Sequence, residues 1–396
     1  MTSQNKIKNL YKSSERIIFI GGAIVFSKIV FLIIPYLISG VEYNEFNKIY
    51  YSAAIVILIG KFGFEFAITR IEIHYKKLFA AIFFNVLIVS LFVAAIGEKY
   101  ISLSSYLSIF LYSYFYIAAN IFLIKNLFEG SYKKYFLYKL FYGFTLLISL
   151  LVLLKFSTNI FLIFPLVGFL WFLFVYSFNW KNYNGNGKLK SFYKLGTSAF
   201  IINSALGFAF IADKYIVNHF FDVEIANAYT FAWALTSPML YIGSMIEHSI
   251  FTSSNKNKRK TITKFLFLLA SMVLAYSIII FTGVHFYSSL LPKSISYNYF
   301  IPILLIFLLI YSVYTFIQFP LNGILFKFID SKAQFRLSKI YPVLFIVFVT
   351  ILYFVFVHNM NKNYFLLIAL NAGYLFVLLF LKAFVVIKSV PKVVLK

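Results

Sequence analysis

A chain of 396 residues that is 62% hydrophobic and only 12% charged is no ordinary soluble globular protein, where charged residues make up about a quarter. Its charges are lopsided, 36 Lys and Arg against 12 Asp and Glu for a formal net charge of +24, but they punctuate long apolar runs instead of covering a polar surface, which argues against a nucleic-acid partner. The absence of cysteine excludes a disulfide framework, a thiolate metal site and a Cys nucleophile, and five scattered histidines form no metal-ligand pattern, so no resident cofactor is expected.

A helix that crosses a bilayer needs about 20 mostly apolar residues. By that ruler the chain holds twelve spans, near residues 17–40, 49–69, 78–96, 101–124, 135–154, 158–178, 195–218, 226–250, 265–291, 298–325, 341–358 and 364–387. No strand-like alternation recurs, and backbone in lipid must satisfy its own hydrogen bonds, so helices are the expected spanning element. The opening MTSQNKIKNLYKSSER is not read as the charged start of a signal peptide. The apolar run behind it, Gly21 to Gly40, is of span length, and no small-residue cleavage pattern precedes Glu42 and Glu45.

Basic residues in short loops resist translocation and stay on the cytoplasmic side. Assigned to alternate sides, one set of loops collects Lys6, Lys8, Lys12 and Arg16; Arg70, Lys76 and Lys77; Lys125, Lys133 and Lys134; Lys181, Lys188, Lys190 and Lys194; Lys256, Lys258, Arg259, Lys260 and Lys264; Lys327, Lys332, Arg336 and Lys339; and Lys388, Lys392 and Lys396. The other side has one lysine in each of five loops: Lys48, Lys99, Lys155, Lys293 and Lys362. Both termini are therefore expected in the cytoplasm. The Asn- and Gly-punctuated stretch NWKNYNGNGKLK, residues 179–190, is the sharpest internal boundary. It divides the chain into an N-terminal lobe over 1–180, a cytoplasmic linker over 181–194 and a C-terminal lobe over 195–396. The expected fold class is an all-α polytopic membrane protein of about twelve transmembrane helices in two six-helix lobes around a central cavity, a common transporter plan. No residue-level repeat relates the two halves.

An ionisable residue at mid-span costs at least about 2.5 to 3.5 kcal/mol on insertion scales, so it faces a bundle interior or a water-filled cavity. Lys28 stands near the centre of the first span, about 17 Å along the helix from either end, too far to reach the headgroups. It is expected to line a polar cavity, the alternative being a carboxylate partner that only ties two helices together. Lys61 and Glu65, in GKFGFEFAI, are four residues apart and share a helix face. That spacing suits a structural salt bridge and a functional pair equally. Gly60 and Gly63 beside them allow close backbone approach and weaken the helix, so a kink is expected there. Asp213 and Lys214 are adjacent, so their side chains diverge by about 100 degrees and are expected to face different neighbours. Asp213 is also readable as an interfacial charge, and so is Glu247 near the cytoplasmic end of the eighth span. Lys139 and Lys382 lie near cytoplasmic span ends and are expected to snorkel. Pro35, Pro165, Pro238, Pro302 and Pro320 fall in spans, where each removes a backbone donor and can bend its helix.

With these residues in view, the chain resembles the bacterial O-antigen and lipid-linked polysaccharide flippases of the Wzx type, in the exporter superfamily that also holds the multidrug and toxin extrusion transporters. The segment VEYNEFNKIYYSAAIVILIGKFGFEFAI looks like that family's "YG.Y" loop and glycine-containing second span, although Asn44 and Glu45 stand where a glycine is usual. The segment IADKYIVNHFFDVEIANAYTFAWAL looks like its seventh and eighth spans, with Asp213 and Lys214 at the acidic-basic dipeptide and Ala228 and Tyr229 at the "A.Y" element.

The resemblance implies an inner-membrane transporter, not an enzyme, that turns an undecaprenyl-pyrophosphate-linked oligosaccharide from the cytoplasmic to the periplasmic leaflet by alternating access. It implies contact with membrane lipids and with the polymerase and chain-length proteins of the same pathway. In that frame Lys28, Lys61 and Lys214 draw in the pyrophosphate. Glu65, Asp213 or Glu247 carries a coupling H⁺ or Na⁺, and Pro35, Gly60 and Gly63 give the helices flexibility. Point-charge ammonium groups suit a phosphate that must later leave. A multidrug-type exporter of the same fold is the nearest rival, but cationic drugs favour acidic cavities. A membrane polymerase or acyltransferase is disfavoured: no large outer loop is present, and His285 and His358 sit near outer span ends, where interfacial roles are expected.

Overall fold

The computed structural model describes residues 29–68, 70–96, 102–155, 160–179, 184–244, 258–286, 291–328 and 331–389, with single positions 19, 22 and 289. These residues are overwhelmingly helical. Among the described residues seven helices are long and apolar enough to cross a membrane, with spans over Tyr75–Ala95, Leu103–Asn126, Tyr132–Val152, Leu266–Phe286, Tyr297–Leu321, Lys339–His358 and Tyr364–Lys388. Large apolar side chains such as Phe84, Ile88, Phe92, Leu274, Ile279 and Phe380 stand exposed on their outer faces. In water such a surface marks an interaction site or an aggregation hazard; around helices of span length it is the surface that lipid covers. The chain is a membrane-embedded, α-helical protein.

Helix α1 (residues 29–37) leads into α2 (Gly40–Gly60) through a reciprocal cap. The Ser39 amide donates to Glu42 Oε2 at 2.8 Å, and the Glu42 amide donates to Ser39 Oγ at 3.3 Å. This capping box satisfies two of the orphan donors of a helix start, and it turns the loop expected around residues 41–48 into the first turns of α2. The other end of α2 also departs from the sequence reading. The single helix expected over 49–69 stops at Gly60, turns through Lys61, Phe62 and Gly63, and resumes as the short α3 (Phe64–Ala67). Phe62 and Gly63 have φ of 43° and 70°, a left-handed backbone that no α-helix continues through.

There follow β1 (Ile73–His74), α4 (Tyr75–Ile96), α5 (Leu103–Phe128), α6 (Tyr132–Lys155), α7 (Ile163–Asn179), β2 (Asn184–Asn186) and α8 (Leu189–Phe220). The last part holds α9 (Val223–Thr236), α10 (residues 238–244), α11 (Lys258–Phe286), α12 (Tyr297–Phe328), α13 (Ser331–Leu352), continued by a π-helical turn over Tyr353–His358, and α14 (Tyr364–Ser389). Pro165 and Pro238 fall in the first turn of α7 and α10, where the missing donor costs little, whereas Pro302 and Pro320 lie inside α12.

The chain clusters into two compact units. The first holds Glu45–Ser204 and the chain before Pro35; the second holds Pro35–Asn44 and Ala205–Lys396. The division at 204 and 205 falls inside α8, beyond the stretch read as a linker. In the first unit α5 is the central helix, packed most closely on α7 and flanked by α4 and α6. Trp171, Tyr112, Phe122 and Phe164 fill the core around it. The Asn-Gly stretch is no free tether from residue 184 onward. β2 pairs antiparallel with β1, and the Gly187 amide donates to the Glu72 carbonyl at 2.9 Å. A Cβ on Gly185 or Gly187 would overlap the Glu72 backbone, which is why glycine stands at both positions. Lys125 reaches Glu72 at 3.9 Å, so segments 70–74 and 184–187 and the end of α5 share one end of this unit.

In the second unit α9 packs on α12, with α11 and α14 beside α12 and α13 against α14. One end of it is tied by polar contacts. Asn227 Nδ2 donates to the Gly40 carbonyl at 2.8 Å, Ser294 Oγ donates to the Pro35 carbonyl at 3.1 Å, and Lys362 pairs with Asp222 at 2.9 Å. The Ser294 bond engages the carbonyl of the very residue proposed from sequence as a flexible point.

Candidate functional site

Among the described residues, the ion pairs that involve residues singled out from the sequence are Lys61–Glu65 in the first unit and Asp213–Lys214 in the second. In the first unit the pair stands at the broken end of α2. Lys61 Nζ lies 2.9 Å from Glu65 Oε2, and the two side chains are 24% and 25% exposed. The four-residue spacing is kept, but the intervening chain is a turn and not a helical face. What fixes the turn is a backbone crossing: a Cβ on Gly63 would overlap the carbonyl of Gly196 in α8, and one on Gly196 would meet the Phe62 carbonyl oxygen at 2.7 Å. Gly60 serves packing, since a Cβ there would meet Val86 at 3.1 Å and Ile117 at 3.4 Å. Phe62 stacks on Phe200 at 4.7 Å between ring centroids. The two glycines thus act less as a hinge than as the points where neighbours approach.

The second oxygen of Glu65, Oε1, accepts from Asn120 Nδ2 on α5. One turn earlier on the same helix Tyr116 lies close enough to Lys61 for an electrostatic interaction, and its ring also carries Lys139, whose Nζ is 5.7 Å from the Tyr116 centroid and 5.4 Å from that of Trp171. A further turn back, the Tyr112 and Tyr142 hydroxyls are 2.6 Å apart. Tyr112, Tyr116 and Asn120 recur every four residues and so form one polar stripe along a span. It lies on the most buried of the seven long apolar helices, 61% of its window being inside the protein, because polar groups at this depth must be satisfied within a bundle. The sequence reading passed over this stripe, although its spacing is visible in LYSYFYIAAN. Lys139, expected to snorkel to headgroups, is half-buried against two aromatic faces instead. A cation over aromatic rings gains about 0.5–2 kcal/mol there.

In the second unit the pair is sealed. Asp213 and Lys214 are 1% and 0% exposed. They were expected to face different neighbours; in fact Lys214 Nζ lies 3.0 Å from Asp213 Oδ2, and the Lys214 amide donates to Asp213 Oδ1 at 2.9 Å. The reason is the lysine stem, long enough to curl back across the divergence of about 100 degrees that separates adjacent helical positions. The interfacial reading of Asp213 fails with it. Tyr229 on α9 donates its hydroxyl to Asp213 Oδ2 at 2.8 Å, and Lys214 Nζ also donates to the Tyr311 hydroxyl on α12 at 3.2 Å. The ammonium further lies 5.0 Å from the Trp233 ring, 5.8 Å from Phe307 and 5.9 Å from Tyr311. Asn218 extends the network, donating to the Lys214 carbonyl at 2.8 Å and to Thr230 Oγ1 at 3.0 Å.

A small cavity lies beside the two tyrosines that hold this pair, lined by Tyr229, Phe307, Tyr311 and Asn371 among others, with a volume of about 10 Å³. That is space for about one water. Asn371 is 5% exposed, and its Oδ1 has no hydrogen-bond partner among the described residues.

The same unit buries a second lysine. Lys382, also expected to snorkel, is 1% exposed and donates to Gln318 Oε1 at 2.9 Å. Its partner on α12 lies 64 residues away, beyond the reach of any local rule. Lys28 and Glu247 lie outside the described residues. No group of three or more His, Cys, Asp and Glu able to hold a metal occurs among the described residues. No family model, curated protein or solved structure matches this chain.

Proposed function

We propose that the chain is a lipid-linked oligosaccharide flippase of the bacterial inner membrane, carrying an undecaprenyl-pyrophosphate-linked repeat unit between leaflets by alternating access with a coupled H⁺ or Na⁺. The observation that carries the reading is Lys61. It is an ammonium group amid membrane-embedded helices, 24% exposed, and held by a carboxylate it can leave. A buried, fully satisfied pair would have no spare valence for a ligand; this one keeps about a quarter of each side chain exposed, and Tyr116, which interacts with Lys61, also carries Lys139 as a second cation. A pyrophosphate has the charge to compete with Glu65 for both. When Lys61 turns to phosphate, Glu65 keeps Asn120 and is free to take the coupling cation, which links the two events electrostatically.

Lys214, at 0% exposure, acts in this conformation as the counter-ion of Asp213 and not as a headgroup contact. Lys28 remains proposed as a headgroup contact and Glu247 as a coupling residue on the sequence argument alone. The full plan proposed is twelve spans with both termini cytoplasmic. It is supported by the basic-residue bias and by contacts among loops placed on one side: 70–74 with 184–187 in the first unit, and Asp222 with Lys362 in the second. The resemblance to the Wzx-type flippases supplies the substrate class.

Deleting the gene and locating the lipid-linked oligosaccharide tests the proposal. Accumulation in the inner leaflet of the inner membrane is expected; accumulation of single exported units would mark a polymerase and overturn it.

A further inference from the structure

We infer that Lys214 is a tethered cation occupying a latent alkali-cation site on Asp213, so that no free Na⁺ binds there in the native protein. Four oxygen-bearing side chains from four helices gather here, three of them at the pair itself and the fourth in the wall of the neighbouring cavity. Asp213 supplies its carboxylate, Tyr229 and Tyr311 their hydroxyls within 3.2 Å of the pair, and Asn371 lines the cavity beside the two tyrosines. Hard monovalent and divalent cations are held by oxygen sets of this kind, carboxylate with neutral oxygens. The Lys214 ammonium takes the centre, contacting Asp213 Oδ2 at 3.0 Å and Tyr311 at 3.2 Å.

Two independent features mark this as a cation site rather than a helix-to-helix tie. Asn371 Oδ1 is an acceptor without a partner among the described residues, buried to 5% exposure in the wall of a cavity that holds about one water. An orphaned buried acceptor is costly, and one in the wall of a water-sized space shared with Tyr229 and Tyr311, the two hydroxyls that hold the pair, is explained by a cation's hydration or coordination. The rings of Trp233, Phe307 and Tyr311 also lie 5.0–5.9 Å from Lys214 Nζ, and ring faces attract positive charge. The pair neutralises itself, so the site neither draws in Na⁺ nor leaves a net charge in the membrane. Coupling in the native protein then runs through another carboxylate. The inference rests on the second unit alone and holds whatever the transported substrate is.

The test uses the full-length protein in detergent, with NaCl, LiCl or choline chloride at constant ionic strength as the probe. The melting temperature of the native protein is expected to be the same in all three. Lys214→Ala empties the centre of the site, and its melting temperature is expected to rise by about 3–6 °C from choline to 300 mM Na⁺ or Li⁺, the size that binding linkage gives for a weak site. The double variant Asp213→Asn/Lys214→Ala is expected to lose that response. A folded Lys214→Ala with no Na⁺ or Li⁺ response overturns the inference. So does a native protein that responds to Na⁺ and loses the response on Asp213→Asn. If Lys214→Ala does not fold in choline, its folded yield is measured after extraction in Na⁺: recovery in Na⁺ or Li⁺ but not choline upholds the inference, and failure in every cation counts against it. The inner-leaflet accumulation assay does not enter this test, so either conclusion can fall without the other.

Discussion

The two units each set one lysine against one carboxylate at nearly the same distance, 2.9 Å in the first and 3.0 Å in the second, yet they solve the burial problem in opposite ways. Lys61 and Glu65 stand where a helix has been broken by left-handed backbone and a glycine crossing, and each keeps about a quarter of its side chain exposed. Asp213 and Lys214 stand inside an unbroken helix of 32 residues, 1% and 0% exposed, among aromatic faces and tyrosine hydroxyls. The lesson is that ion-pair length says little about availability. The more exposed pair stands where the helix is interrupted, while the sealed pair has two tyrosine hydroxyls holding it shut. Desolvated charges demand such compensation, because removing one partner leaves the other uncompensated at a cost of about 3–5 kcal/mol.

The comparison breaks first, and hardest, on the sealed side. In sodium-free choline buffer Lys214→Ala should lower stability by about 3–5 kcal/mol, read as the largest drop in melting temperature of any variant considered. Asp213→Asn/Lys214→Met removes both charges and keeps most of the volume, so it should recover most of that loss. Equal losses in the single and double variants would mean that packing, not charge, dominates there.

On the open side the largest effect is expected not at a charge but at the crossing. Gly63→Ala places a Cβ into the Gly196 carbonyl at a position with φ of 70°, whereas Gly130, with φ of 79°, has nothing within 4 Å of where its Cβ would stand. Both substitutions pay the left-handed strain of about 1–2 kcal/mol. Only Gly63→Ala also forces two backbones apart, and it should cost about 1–3 kcal/mol more than Gly130→Ala. Thermal unfolding of the two variants side by side checks this, and equal losses would mean that the Gly196 contact relaxes freely.

Much of this contrast could be seen in the sequence, and the rest could not for definable reasons. Lys61 and Glu65 were legible because four-residue spacing brings two side chains together whether or not the helix is perfect. The glycines beside them announced the break, although not that Gly196, 133 residues beyond Gly63 by position, was the neighbour they admit. The start of α2 was equally legible in Ser39 and Glu42, a capping-box spacing that a ruler for apolar length passes over. Asp213 and Lys214 misled because angular reasoning treats a side chain as a spoke, and lysine is a tether. Their seal was beyond local reasoning altogether, since Tyr229 lies 16 positions from Asp213 and Tyr311 lies 97 from Lys214. Lys382 shows the same limit: nearness to a span end suggested snorkelling, but Gln318, 64 positions away, offers it a buried acceptor.

A third pair of variants asks whether Lys139 belongs with the open pair. Lys139→Met keeps a linear stem and removes the charge from the Tyr116 and Trp171 rings, so the stability change should stay near the cation–π range of about 0.5–2 kcal/mol. If Lys139 assists Lys61 with an anionic headgroup, transport of the lipid-linked oligosaccharide should fall several-fold in Lys139→Met and be kept in Lys139→Arg. Loss of transport in both, with unchanged melting, would make the lysine stem and not its charge the important feature.

The smallest stability effect should accompany the largest functional one, at Lys61. Lys61→Gln leaves Glu65 with its Asn120 contact and with a quarter of its side chain exposed. The uncompensated carboxylate can therefore hydrate in place, and the pair resembles a surface bridge worth about 1 kcal/mol or less more than it resembles the buried one. Transport should nevertheless be abolished, because glutamine offers no charge for a phosphate to exchange with. Melting temperature and lipid-linked oligosaccharide transport measured on the same preparation decide the matter. A melting drop as deep as that of Lys214→Ala would show that Lys61 is sealed in solution despite its exposure here, and the distinction between an open and a closed pair would disappear. A shallow drop with full transport would keep the distinction and remove Lys61 from the substrate path, leaving Lys28 as the ammonium to test next.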